Sequence, residues 1–273
     1  MKKEFHHVYI GDAEKVLKKF QNNYFDFVFT SPPYFEARGT EQWNTYDDFL
    51  EKMYRIFKEV YRTIKQSRLV AVNVADYSIE GKRYPLGADF TRILVHEIGF
   101  NYVITVIWRK PAGVTSTYGQ MAGNFLKYRN PLYFIPNQNF EYIIIVRKGE
   151  FRSDVIGDEK LKFQYSEDFI EKKLRPFLEA VWDINPETTV RYHPLQFPEK
   201  LVEVALLLFT VPGDVVLDPF SGSGTLGAVC RRLGRSSVQI EIRKEYLDII
   251  KKRLNWGVQK FGRQVEYKVF IEE

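Results

Sequence analysis

One stretch constrains the fold of this chain more than any other. Val215-Val216-Leu217 is apolar, Asp218 ends the run, and Gly222, Gly224 and Gly227 follow in the spacing G-x-G-x-x-G. A helical pattern from about Thr225 to Leu233 comes next. Strand, glycine turn and helix in that order build one half of a nucleotide-binding unit, because glycines let the backbone approach a ligand closely. Ser237 to Ile240 reads as the next strand, and Glu241 stands at its end. An acid at that place can accept hydrogen bonds from two ribose hydroxyls. The pattern implies a cofactor that contains adenosine.

The rest of the chain repeats the alternation. Phe25 to Thr30 is a nearly continuous apolar run halted by Ser31-Pro32-Pro33, as a buried strand would be. Leu50, Met53, Tyr54, Phe57, Val60, Tyr61 and Ile64 recur at helical spacing, with Asn44 or Thr45 able to cap the helix. Leu69–Ala75, Tyr102–Trp108 and Tyr142–Val146 read as strands. Leu86–Ile98, Glu199–Phe209 and Lys244–Leu254 read as helices, and Gly99 falls where a helix often ends. Such alternation predicts an α/β protein with a Rossmann-like, doubly wound, mostly parallel sheet. The 273 residues suit one large domain or two small ones. Two stretches break the alternation, at about 110–139 and 149–185, and long irregular segments are usually functional or mobile.

The identity of the cofactor turns on what lies between the strand and the glycines. In a dinucleotide-binding turn the first glycine follows the strand directly and faces a pyrophosphate. Here Asp218-Pro219-Phe220 intervenes. An acid beside the turn repels a pyrophosphate but suits an ammonium group. S-adenosylmethionine carries an ammonium, a carboxylate and a ribose, and no phosphate. The N–H groups and hydroxyls of Ser221, Ser223 and Thr225 can take its carboxylate.

Thr30-Ser31-Pro32-Pro33-Tyr34 stands at the carboxyl end of a predicted strand, where open parallel sheets bind ligands. Two prolines fix the backbone and supply no N–H, so their carbonyls stay free as acceptors. A hydroxyl, a carbonyl and an aromatic ring on a rigid turn can accept from an exocyclic amino group while the ring stacks on the base.

Together these motifs resemble the DNA amino-methyltransferases of the beta permutation class, in which the catalytic motif precedes the cofactor motif. Gly11-Asp12 is similar to that family's N-terminal Gly-Asp, and the resemblance implies that Asp12 contacts the cofactor adenine. Glu141-Tyr142-Ile143-Ile144 is similar to the strand after the variable loop. His193 to Leu201 resembles the segment lining the methionine end of the cofactor, and Gly234-Arg235 through Glu241 to Tyr246 and Arg253 resembles the acid strand and its closing helix. The resemblance implies a circularly permuted methyltransferase fold over 1–273, with a small target-recognition insert at about 110–139 and 149–185. It implies S-adenosyl-L-methionine as cofactor, with S-adenosyl-L-homocysteine as product. Asp12, Thr30, Asp218, Pro219, Phe220, Ser221, Gly222, Ser223, Gly224, Thr225 and Glu241 are the expected cofactor contacts. Ser31, Pro32, Pro33 and Tyr34 are the expected catalytic residues.

Adenine-N6 members of the class typically carry Asp or Asn before Pro-Pro, and cytosine-N4 members typically carry Ser, so Ser31 points to cytosine-N4. Carbon-5 methylation needs a cysteine nucleophile. The single cysteine, Cys230, lies within a predicted helix and reads as a small buried residue. No metal is expected, because His6, His7, His96 and His193 lack ligand spacing. The target base would flip out of double-stranded DNA to reach the site. RNA or protein-glutamine methyltransferases are the second reading, disfavoured because their tetrapeptide usually follows the glycine turn. A non-catalytic nucleic-acid-binding relative is the third.

Base readout falls to the two irregular stretches. The first carries Lys110, Thr115, Ser116, Tyr118, Gln120, Asn124, Lys127, Tyr128 and Arg129. The second carries Arg152, Lys160, Lys162, Gln164, Lys172, Lys173 and Arg175, diluted by acids, and reads equally well as a solvated helical face. Arg191 and Tyr192 are further candidates at the base pocket. The net charge of +5 permits a nucleic-acid partner without demonstrating one. A restriction endonuclease acting on the same site is a candidate partner, and the class includes monomers and homodimers. The start of the chain lacks the apolar stretch of a secretory signal and no run approaches the ~20 residues of a membrane helix, so a cytoplasmic protein of a prokaryote or phage is expected.

Overall fold

The computed structural model describes residues 3–35, 43–79, 81–111, 138–186, 197–259 and 264–272. Among the described residues nine strands form one sheet: β1 (Glu4–Ile10), β2 (Phe25–Thr30), β3 (Ile64–Val74), β6 (Asn101–Arg109), β7 (Phe140–Arg147), β8 (Val181–Asp183), β9 (Val215–Asp218), β10 (Ser236–Glu241) and β11 (Val265–Ile271). Two short strands, β4 (Tyr77–Ile79) and β5 (Lys82–Tyr84), pair separately. The sheet order is β11-β1-β10-β9-β2-β3-β7-β6-β8. Only the β7 pairings with β3 and β6 are antiparallel, so the sheet is mostly parallel, as the alternation predicted.

Helices cover both faces. On one side lie α1 (Ala13–Leu17), α2 (Tyr46–Thr63) and α3 (Leu86–Thr91), whose Val16, Leu17, Phe49, Met53, Phe57 and Phe90 pack on Val28, Val70, Val72 and Val238. On the other lie α4 (Glu199–Phe209) and α5 (Thr225–Leu233), which meet Phe27, Phe29, Ala71 and Ile145. A further helix, α6 (Leu247–Arg253), packs Leu247 and Ile250 on Val8 and Ile10 of β1.

Local chemistry explains the element ends. Thr45 caps α2 in a reciprocal box: its Oγ1 accepts from Asp48 N at 3.1 Å, and Asp48 accepts from Thr45 N at 3.1 Å. Such a cap contributes about 1 kcal/mol. The stretch after α3 continues as a wider turn, Arg92–Ile98, and ends on Gly99 at φ 93°, a left-handed value suited to glycine.

β3 is longer than the apolar run Leu69–Ala75 suggested, starting at Ile64 directly from α2. Its first half contains Ser67 at φ 64°, and the pairing with β2 shifts register there. The Ser67 hydroxyl donates to Glu150 O and accepts from Arg152 N, which holds the irregularity.

β1 and β11 escaped the sequence reading. In β1 the buried row is Glu4, His6, Val8 and Ile10, so half of it is polar. His6 is fully buried, with Nδ1 2.8 Å from Ser237 Oγ and Nε2 3.2 Å from Glu4 Oε1. This Ser–His–Glu chain has the order of a hydrolase triad, but Ser237 is itself fully buried and no substrate can reach it.

Candidate active site

The catalytic and cofactor motifs lie at the same end of neighbouring strands. β2 and β9 pair in parallel, and the chain runs from β2 to β3 on one side and from β9 to β10 on the other. The carboxyl ends of β2 and β9 therefore flank a topological switch point, where open α/β sheets bind ligands. Thr30 Oγ1, fully buried, donates to Asp218 Oδ1 at 2.7 Å. This bond joins the residue before Ser31 to the acid that opens the glycine turn.

The turn has the geometry that its glycines were expected to allow. Gly224 has φ 80°, and a Cβ there would stand 3.1 Å from both Gln239 and Ile250. A Cβ on Gly227 would stand 2.5 Å from Gln239 Cδ. The third glycine thus sets how closely α5 packs on β10. Glu241 holds the turn from the next strand: its Oε2 accepts from Gly222 N at 2.7 Å and its Oε1 from Arg243 N at 2.9 Å.

Burial shapes the electrostatics. Asp218 is fully buried, which pushes its carboxyl up to about 7; hydrogen bonds from Thr30 and Phe220 N oppose the shift and the charge of Glu241 adds to it. Glu241 is pushed up to about 7 chiefly by burial, against the bonds from Arg243 N and Gly222 N. Asp218 Oδ2 and Ser221 Oγ are buried without a partner. Buried polar atoms cost free energy unless satisfied. A ligand that brings donors to Asp218 and a group for the Ser221 hydroxyl would satisfy both. S-adenosylmethionine has an ammonium, a carboxylate and ribose hydroxyls, so the residues present fit it.

The other expected cofactor residues are distributed as follows. Pro219 is buried, and Phe220 is half-buried with its ring 6.3 Å from that of Phe57. Ser223 Oγ and Thr225 Oγ1 both accept from Arg253 Nη1, at 3.0 and 2.8 Å, and Arg253 Nη2 donates to Glu199 at 2.9 Å. The sequence marks Arg253 only as part of a resembling helix, and no local signal foretells its hold on the glycine turn. Asp12 sits beside Glu241, because Gly11 N donates to Glu241 O at 2.9 Å. Its carboxylate caps α1 through Glu14 N at 2.7 Å and takes Lys52 Nζ at 2.7 Å.

In the tetrapeptide, Ser31 and Pro33 are half-buried and Pro32 is buried. The Tyr34 hydroxyl accepts from Ala75 N at 3.0 Å, and its ring meets Tyr77 edge to face at 5.3 Å. The turn is therefore anchored to the end of β3.

Lys110 and Lys160 need correction as DNA-reading candidates. Lys110 is buried and donates to Glu141 Oε1 at 2.6 Å, so it belongs to the core of this end of the sheet rather than to an open surface. Lys160 bonds Asp26 and Asp214 at the amino ends of β2 and β9, the end opposite the switch point. Arg152, Lys172 and Arg175 pair with the nearby acids Asp154, Asp168 and Glu171. These local pairs are those of a solvated helical face. Thr115 to Arg129, Arg191, Tyr192 and His193 lie outside the described residues. Cys230 is buried inside α5, away from any nucleophilic role. Among the described residues no His, Cys, Asp and Glu cluster could hold a metal ion, and no helix is long and apolar enough to cross a membrane.

The profile of the N6 and N4 DNA methylases matches residues 25–252, which spans both motifs. The chain belongs to the N6/N4 DNA methylase family. It is thus a DNA amino-methyltransferase, and S-adenosylmethionine is its cofactor. Among relatives of this methylase, it is 27% identical over 270 residues to the Type II methyltransferase M.SmaI of Serratia marcescens, covering 90% of each chain. It is 30% identical over 255 residues to the Type II beta methyltransferase M.BslI of a Bacillus species, covering 89% of this chain but only 27% of that relative. Among solved structures, the Thermus thermophilus protein TTHA0409 complexed with S-adenosyl-L-methionine superposes with a TM-score of 0.70 at 27% identity, covering 97% of this methylase and 98% of that chain. The PvuII DNA methyltransferase, cytosine-N4-specific, shares the fold with a TM-score of 0.68 at 20% identity, covering 97% and 98%.

Proposed function

We propose that this methylase transfers a methyl group to the exocyclic N4 amino group of a cytosine flipped out of double-stranded DNA. The observation that carries the reading is the Thr30–Asp218 bond, which sets Ser31 next to the cofactor turn. A serine at the head of the tetrapeptide favours cytosine over adenine in this class.

Asp218, Ser221, Gly222, Gly224 and Glu241 would hold S-adenosylmethionine, with Asp12, Thr30, Pro219, Phe220, Ser223 and Thr225 around them. The chemistry that the cofactor supplies when bound is an electrophilic methyl group on a sulfonium. The chain supplies orientation. Ser31 Oγ and the Pro32 carbonyl accept the two amino hydrogens, which turns the nitrogen lone pair out of conjugation with the ring. Pro33 keeps the turn rigid and Tyr34 carries the aromatic surface for the base. Fixing the nucleophile in this way removes much of the entropic barrier. The same acceptors stabilise the positive charge that develops on the nitrogen. No nucleophilic side chain is required.

Recognition of the DNA sequence is assigned to the segment at about 110–139. M.SmaI and M.BslI are named Type II methyltransferases, which supports a place for this methylase beside a restriction endonuclease. Tritium transfer from labelled S-adenosylmethionine to duplex DNA, RNA and protein, run in parallel, tests the substrate class. Label in DNA alone is the expected result, and label in RNA or protein alone would refute it.

A further inference from the structure

Asn73 stands at the carboxyl end of β3, 2% exposed, on the same sheet face as Ala71, Phe29 and Ile143. Its Nδ2 donates to Glu141 Oε2 at 2.6 Å. Glu141 also takes Lys110 Nζ on its other oxygen at 2.6 Å. A carboxylate that holds an ammonium is an acceptor, so the amide of Asn73 has one possible orientation, with nitrogen toward Glu141. β3 lies between β7, which carries Glu141, and β2, which leads to Ser31. The carbonyl oxygen of Asn73 therefore points away from β7, and Oδ1 is buried without a hydrogen-bond partner. Thr30 pairs with Val72. Continuing that ladder by one residue sets Ser31 beside Asn73.

We propose that Asn73 is a positioning residue that accepts a hydrogen bond from the Ser31 hydroxyl once the target base is in place, so that the serine oxygen presents its lone pairs to the target amino group. A hydroxyl has one donor and two acceptor sites. If its hydrogen points at the base amino group, the contact is donor against donor and the base is repelled. Asn73 Oδ1 removes that hydrogen from the site. Lys110, Glu141, Asn73 and Ser31 then form one chain with fixed hydrogen-bond polarity. It explains why a lysine at the border of an irregular segment is buried, and why a buried amide oxygen is left open. The inference rests on Ser31 being the residue that contacts the target amino group.

A double-mutant cycle tests it. Asn73→Ala should lower kcat about tenfold, the worth of one oriented hydrogen bond. Calorimetric affinity for S-adenosylmethionine and affinity for duplex DNA should stay unchanged. In a Ser31→Ala background, Asn73→Ala should cost less than about twofold further. Two losses that multiply would overturn the proposal while leaving Ser31 in place. Full turnover by Ser31→Ala would instead overturn the underlying reading of the tetrapeptide together with this one. A second variant guards against a folding artefact. Asn73→Asp combined with Glu141→Gln exchanges the two groups and keeps a hydrogen bond at each contact, with the one between positions 73 and 141 reversed. Each single variant should be impaired and the pair should recover. A pair no better than its worse single would also overturn the proposal.

Discussion

Thr30 and Asp218 stand 188 positions apart in the sequence and are joined by a 2.7 Å hydrogen bond between buried side chains. One contributes the strand end that presents the catalytic turn, the other the strand end that opens the cofactor turn. In a permuted chain order these two motifs are far apart, and this contact fixes their distance. Thr30→Val keeps the shape and removes the donor, leaving Phe220 N to hold Asp218 Oδ1 beside an Oδ2 that has no partner. The expected cost is about 0.5–1.5 kcal/mol in denaturant unfolding. Weaker binding of S-adenosylmethionine should accompany it, measured by calorimetry.

Gly227→Ala should destabilise the protein by about 1–3 kcal/mol, because the new methyl group meets the Gln239 side chain, which is fully buried and cannot swing into solvent. Both polar atoms of the Gln239 amide lack partners, so the side chain contributes bulk rather than bonds. Adding Gln239→Ala should recover part of the loss in thermal melts. A Gly227→Ala protein as stable as the parent would show that the helix and β10 pack more loosely than the distances state.

The raised carboxyls give a stability signature. Asp218 and Glu241 have folded values of about 7, against ordinary values of 3.8 and 4.5. Between those limits the folded protein holds protons that the unfolded chain has released, so stability falls as pH rises through this window. Below it both states are protonated and the contribution is complete. Asp218→Asn removes one of the two titrations. The melting temperature of the cofactor-free parent should therefore fall relative to that of Asp218→Asn between about pH 4 and 7. A constant gap would remove Asp218 from the account.

Tyr34→Ala should lower turnover about 100-fold through lost positioning of the base, while cofactor affinity changes little. Tyr34→Phe deletes only the hydroxyl that accepts from Ala75 N, at about 1 kcal/mol of stability. Unchanged turnover in Tyr34→Ala would take the ring out of catalysis.

How much of this was legible follows from what each element shows to its neighbours. Thr225–Leu233 and Glu199–Phe209 were read with the observed bounds because a glycine or proline marks each start. β2 was legible because both of its faces are buried and its apolar run is continuous. β1 was not, because Glu4 and His6 occupy buried places by bonding each other and Ser237. The glycine turn and the tetrapeptide were legible as motifs, yet their contact through Thr30 was not, since no local pattern records a pairing between strands. Lys110 and Lys160 misled in the same way: a lysine in a polar stretch reads as a surface charge until its carboxylate partner, the half-buried Glu141 or the buried Asp214, is in place.

The most direct test is the identity of the methylated base. Unmethylated genomic DNA is incubated with the enzyme and S-adenosylmethionine, digested to nucleosides and analysed by mass spectrometry. N4-methylcytosine that appears only with the intact Ser31 enzyme is the predicted product. N6-methyladenine in its place would contradict the assignment of the base.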